Sequence, residues 1–166
     1  MMAQRKTSGF NLLWAIALSS IIALTLTIMP LPQWLFYLWP DWMALIIVYW
    51  SLTVPDRVGP WIGFFIGTIL EVLFVRNFGV QGLGMAMLAF AVNRMHQQLQ
   101  VLSFGPQMLV VGLLIGVFKL VTGWLYGLTT DFTITTEYWY SLLGGMLCWP
   151  FVFILLQELR RTARIR

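Results

Sequence analysis

The chain reads as long apolar stretches separated by short clusters of proline, glycine and charge. From Phe10 to Met29 no residue is charged, and the stretch closes at Met29-Pro30-Leu31-Pro32. Crossing a bilayer as a helix takes about 20 residues at 1.5 Å each. A cleaved leader has a shorter apolar region, about 7–15 residues, and a small-residue cleavage site, so this run is read as a retained first span over about 10–29. Aromatic residues then crowd into Gln33-Trp34-Leu35-Phe36-Tyr37-Leu38-Trp39-Pro40-Asp41-Trp42. Such clusters belong at membrane interfaces, where amphipathic rings sit at headgroup level.

Five more apolar runs follow. One covers 42–54 and closes at Pro55-Asp56-Arg57; the next, 61–75, is interrupted by Glu71 and ended by Arg76-Asn77-Phe78-Gly79. The fourth, 80–92, stops at Asn93-Arg94-Met95-His96. The fifth, 102–128, carries Lys119 and is long enough to tilt; the sixth, 138–156, runs into the basic tail Glu158-Leu159-Arg160-Arg161-Thr162-Ala163-Arg164-Ile165-Arg166. The pattern predicts an all-α membrane protein, a compact bundle of six transmembrane helices forming one domain over 1–166, with no internal repeat or flexible linker.

Composition sharpens this. Of 166 residues, 60% are hydrophobic, 16% aromatic and only 10% charged, against about 45–50% apolar and about 25% charged in soluble domains. A soluble globular domain is excluded, and almost no chain remains for an aqueous one. The net charge of +4 would suggest nucleic acid in a soluble protein, but these cations flank apolar runs and report topology instead. With the N-terminus inside, the cytoplasmic flanks hold Arg5, Lys6, Arg57, Arg94, Arg160, Arg161, Arg164 and Arg166, and the outer flanks hold Arg76. Both termini are therefore expected in the cytoplasm, in a multi-pass protein with membrane lipid as its surroundings and no nucleic acid partner.

Little in the chain points to catalysis. The single Cys148 forms no intrachain disulfide, and the single His96 cannot build a histidine zinc site. No Gly-x-Ser-x-Gly elbow surrounds any serine, and no Gly-x-Gly-Asp run marks an aspartyl protease. Gly79-Val80-Gln81-Gly82-Leu83-Gly84 has the wrong spacing for a nucleotide loop and follows a helix rather than a strand. No catalytic, cofactor or metal residue is assigned.

What does stand out is small-residue spacing and two intramembrane charges. Gly63 and Gly67, Gly112 and Gly116, and Gly123 and Gly127 each form Gly-x-x-x-Gly. In lipid no hydrophobic effect drives helices together, so small residues matter by letting backbones approach. Each pair serves packing within the bundle or a partner face. Glu71 and Lys119 lie inside predicted spans, where a charge at the centre costs about 2.5–3.5 kcal/mol on the lenient insertion scale. Both fall about 5–10 Å beyond the midplane at 1.5 Å per residue, so each is expected to neutralise the other, with a proton or cation relay as the alternative. The arginines 160, 161, 164 and 166 of the tail are read as a topological anchor on anionic headgroups or a cytoplasmic contact.

From Pro40 to Arg94 the order of features resembles the MreD family of bacterial rod shape-determining membrane proteins. It rests on Trp39-Pro40-Asp41-Trp42, on Ile46-Ile47-Val48-Tyr49-Trp50, on Pro55-Asp56-Arg57-Val58-Gly59, on Gly67-Thr68-Ile69-Leu70-Glu71 and on Gly79 opening the next span. Glu71 stands where the family usually has Asp. The resemblance implies a non-enzymatic inner-membrane subunit of the cell-wall elongation complex, associated with MreC, MreB, RodA and a class B penicillin-binding protein. The family is also similar in architecture to the substrate-binding subunits of energy-coupling-factor vitamin transporters, which leaves a small-solute transporter subunit as the alternative.

Overall fold

A computed structural model of the protein describes residues 2–30, 32, 38–75, 79–129 and 136–162, and the side chains of 11–30, 32, 38–75, 79–128 and 139–162. The aromatic stretch 33–37, Arg76, Asp131, Arg164 and Arg166 lie outside the described residues, as do the side chains of Arg5, Lys6 and Glu137. The described chain is all helix, without strands: α1 Met2–Ile28, α2 Trp42–Thr53, α3 Pro60–Phe74, α4 Val80–Val101, α5 Phe104–Thr129 and α6 Thr136–Thr162.

Helix ends follow from local chemistry. Asp41 caps α2, its side chain accepting from the Ala44 N–H at 3.4 Å. Pro55 lacks an amide to continue that helix and restricts the residue before it. Pro60 sits in the first turn of α3, where its missing N–H costs nothing. Helix α3 ends with Val75 in the left-handed region at φ 50, an uncommon conformation for a β-branched residue. Gly79, at φ 98, opens α4.

Three stretches are long and apolar enough to cross a membrane: Asn11–Ile28, Phe104–Leu128 and Trp139–Thr162. At 1.5 Å per residue the 12-residue α2 is only about 18 Å long, short of the ~30 Å hydrocarbon core. Its position explains how it persists. Every residue from Met43 to Leu52 is buried, and α2 packs against α1, α4 and α6. A helix apolar on all faces is stable when walled in by others. Its Trp50 finds a partner inside the bundle: the indole donates to Ser19 Oγ at 3.0 Å, which in turn donates to the Ile16 carbonyl at 2.9 Å.

Helix α4 continues beyond the expected end at 92 to Val101. The polar residues there close off neighbouring backbone. Asn93 donates to the Val58 carbonyl at 3.0 Å, and Gln100 donates to the Leu52 carbonyl at 2.7 Å, satisfying an acceptor at the end of α2. Helices alternate in direction, so one end gathers the Val58 turn, Gln100, Phe104 and Arg160. The opposite end holds Trp39, whose indole donates to the Leu26 carbonyl at 3.0 Å, and the turn between α3 and α4.

Candidate functional site

Helix α3 has two unlike faces. Trp61, Phe65, Ile69 and Val72 point outward, whereas Gly63, Gly67, Leu70 and Glu71 are buried. The buried face lies on α4 at backbone contact. A Cβ added to Gly63 would stand 2.6 Å from the Met85 carbonyl oxygen, and one added to Gly67 would stand 2.6 Å from that of Gln81. Real side chains do not tolerate such distances, so glycine at both positions is what brings α3 this close to α4.

That approach delivers Glu71, 1% exposed, to the start of α4. One carboxylate oxygen accepts from the Gly79 N–H at 2.7 Å. The other accepts from the Gln81 N–H and, at 3.4 Å, from the Gly82 N–H. The first amides of a helix have no intrahelical acceptor and carry the positive end of its dipole. A carboxylate among them satisfies both, which accounts for a buried acid in an apolar helix. Glutamate has one methylene more than the aspartate usual in the MreD pattern, and here that reach spans the turn from Gly79 to Gly82.

The expected charge pair between Glu71 and Lys119 is therefore not what holds the Glu71 carboxylate, whose oxygens are engaged by backbone amides. Helices α3 and α5 each pack on α4, using different sides of it. Gly67 of α3 lies at Gln81 and Gly82, whereas Phe118 and Thr122 of α5 lie at Gly84. Lys119, next to Phe118 on α5, is 7% exposed. The Thr122 hydroxyl beside it turns back to the Phe118 carbonyl at 2.8 Å.

Gly112 and Gly116 also face a helix of the same chain. A Cβ on Gly112 would meet the Met146 side chain of α6 at 2.6 Å, and one on Gly116 would meet Leu142 at 3.5 Å. Gly123 is buried and Gly127 exposed. Gly144, not singled out from sequence, has the Leu38 carbonyl against it, so the chain entering α2 lies directly on α6. Gly63, Gly67 and Gly112 thus have no room for a partner helix.

The motif residues sit where helices begin, end or cross. Pro40 is buried next to Gly145 and precedes the capping Asp41. Tyr49 is buried with its ring edge-on to Phe153, centroids 5.5 Å apart. Trp50 anchors to Ser19, Pro55 and Arg57 form the turn after α2, and Gly79 supplies the positive φ. At the opposite end of the bundle sits a polar cluster that the apolar pattern did not mark. Gln107, 4% exposed, donates to the Leu99 carbonyl at 3.2 Å and accepts from the Trp149 indole at 3.4 Å. Its signal in sequence is a glutamine five residues past the start of the apolar run 102–128, and the buried Trp149 gives it a reason to be there. Arg160 is half-buried and Arg161 exposed. Among the described residues no three His, Cys, Asp or Glu side chains come together to hold a metal ion.

Comparison with known proteins adds to this geometry. The model of the family described as rod shape-determining protein MreD matches residues 8–159. The chain is 28% identical over 162 residues to the rod shape-determining protein MreD of Haemophilus influenzae, covering 94% of this chain and 97% of that one. No solved structure matches.

Proposed function

We propose a scaffold role for this chain, which belongs to the MreD family of rod shape-determining proteins. In this reading it is a non-enzymatic, multi-pass subunit of the bacterial inner membrane. It supports rod shape by holding MreC, and with it MreB, RodA and a class B penicillin-binding protein, at the site of wall elongation. The observation that carries the reading is the family match over nearly the whole chain. The fold is compatible with it: the Glu71 carboxylate closes a helix turn, and Asn93 and Gln100 at the far end serve packing.

All six helices are taken to contribute to the membrane domain, with α2 and α3 crossing as short elements sheltered by their neighbours. Non-helical backbone at membrane depth is tolerated when buried in protein, as where Leu38 lies on Gly144. Arg57, Arg94, Arg160 and Arg161 fall at one end of the bundle, which supports a cytoplasmic assignment for that end. Affinity purification of the tagged chain from membranes, followed by mass analysis, tests the scaffold. Recovery of a single-span periplasmic partner is expected, whereas a tightly retained vitamin-sized solute without protein partners would replace the scaffold by a transporter subunit.

A further inference from the structure

We propose that the pocket at the Arg160 end of the bundle binds the phosphate of an anionic phospholipid. The pocket lies between α2, α6 and the junction of α4 with α5, and encloses about 530 Å³, within the roughly 300–1,000 Å³ range of small-ligand sites. The inference rests on the membrane placement of the helices and not on the rod-shape role.

Four observations point to this occupant. Arg160 is the charged residue among those lining the pocket, and no described carboxylate lies within 4 Å of it, whereas Arg161 has Glu158 at 3.9 Å. Helix α5 starts in the same wall: the first bond of its ladder runs from the Gln107 N–H to the Ser103 carbonyl at 3.1 Å. The amides of Phe104 and Gly105 precede that bond and face outward from a positive helix end. Third, the Tyr49 hydroxyl, on a residue with 0% exposure, has no hydrogen-bond partner. It lies behind the pocket wall, one helical turn before Thr53, whose hydroxyl donates to the Tyr49 carbonyl and which lines the pocket.

The fourth observation is depth. The apolar stretch of α5 begins at Phe104 and the charged end of α6 begins at Glu158, which sets the pocket level with the membrane boundary, where lipid phosphates lie. Its walls divide accordingly. Leu52, Phe104 and Phe153 present apolar surface suited to the ester region of a lipid, while Arg160, Ser103 and the α5 amides present donors. The side-chain amides of Gln100 and Gln107 are already engaged with backbone carbonyls, so binding falls to Arg160, Ser103 and the helix end.

The test is native mass spectrometry on the full chain, purified in detergent, stripped of lipid and titrated separately with dioleoylphosphatidylglycerol, dioleoylphosphatidylcholine and inorganic phosphate. One phosphatidylglycerol is expected to be retained in preference to phosphatidylcholine, with no retention of inorganic phosphate. Arg160→Gln should weaken retention about fivefold, the effect of one charge near a lipid surface, and Ser103→Ala should weaken it at an unchanged thermal midpoint. Arg161→Gln, next in sequence but outside the pocket, should leave it unchanged. Equal loss from Arg161→Gln and Arg160→Gln, equal retention of the two lipids, or Arg160-dependent binding of inorganic phosphate without lipid would overturn the proposal.

Discussion

Replacing Glu71 by Gln removes the charge while keeping nearly the same volume, and so isolates what the carboxylate does at the start of α4. Both oxygens accept N–H groups, from Gly79 on one side and from Gln81 and Gly82 on the other. A carboxamide has one acceptor oxygen, so its NH₂ must face an amide donor at one of those positions. Hydrogen bonds to charged groups contribute about 1.5–3 kcal/mol each, and stranding a buried donor costs about 1–3 kcal/mol. Glu71→Gln should therefore cost about 2–4 kcal/mol, and Glu71→Ala, which strands all three amides, should cost more. The readout is the thermal midpoint of the purified protein in detergent, followed by size-exclusion, together with its level in membranes. A second arm separates amide capping from charge pairing. If backbone amides hold the carboxylate, Lys119→Met added to Glu71→Gln restores nothing; if the two charges held each other, the apolar double variant would recover most of the loss. Parental stability of Glu71→Gln, or recovery in the double variant, would refute the reasoning.

Two further predictions concern packing and topology. Gly63→Ala and Gly67→Ala drive a Cβ into α4 backbone and should each cost about 1–3 kcal/mol; Gly112→Ala meets only the flexible Met146 side chain and should lower the same midpoint less. Alkaline phosphatase fused after Asp131 should be active and fused after Arg94 inactive, because the arginine-bearing end is assigned to the cytoplasm.

How far the structure was legible in sequence varied with the kind of signal. Helix boundaries marked by proline or glycine, such as Pro40-Asp41 before α2, Pro55 after it and Gly79 before α4, were readable because these residues act on the backbone locally. The end of α4 was not. Asn93-Arg94-Met95-His96 reads as the stop of the fourth run, yet the helix continues to Val101, and Asn93 and Gln100 close carbonyls of Val58 and Leu52, partners far away in the chain. Glu71 was legible as a buried acid in need of company, but charge and depth alone suggested Lys119. Backbone amides have no letter in the sequence. Gly79 and Gly82, following Glu71 at the start of a helix, were the available hint. The Gly63 and Gly67 spacing indicated close approach, and only coordinates could say that the surface approached is α4 of the same chain. Cavities such as the one beside Arg160 form from four separate segments and leave no pattern in any one of them.

The most direct test of the scaffold role is cell shape. The chromosomal gene for this chain is placed under a repressible promoter in its host, and cell width and length are measured by microscopy as the protein is depleted, with and without a plasmid copy. The account predicts that depleted cells widen and round, and that the plasmid copy restores rods. Normal rods after complete loss of the protein would contradict it.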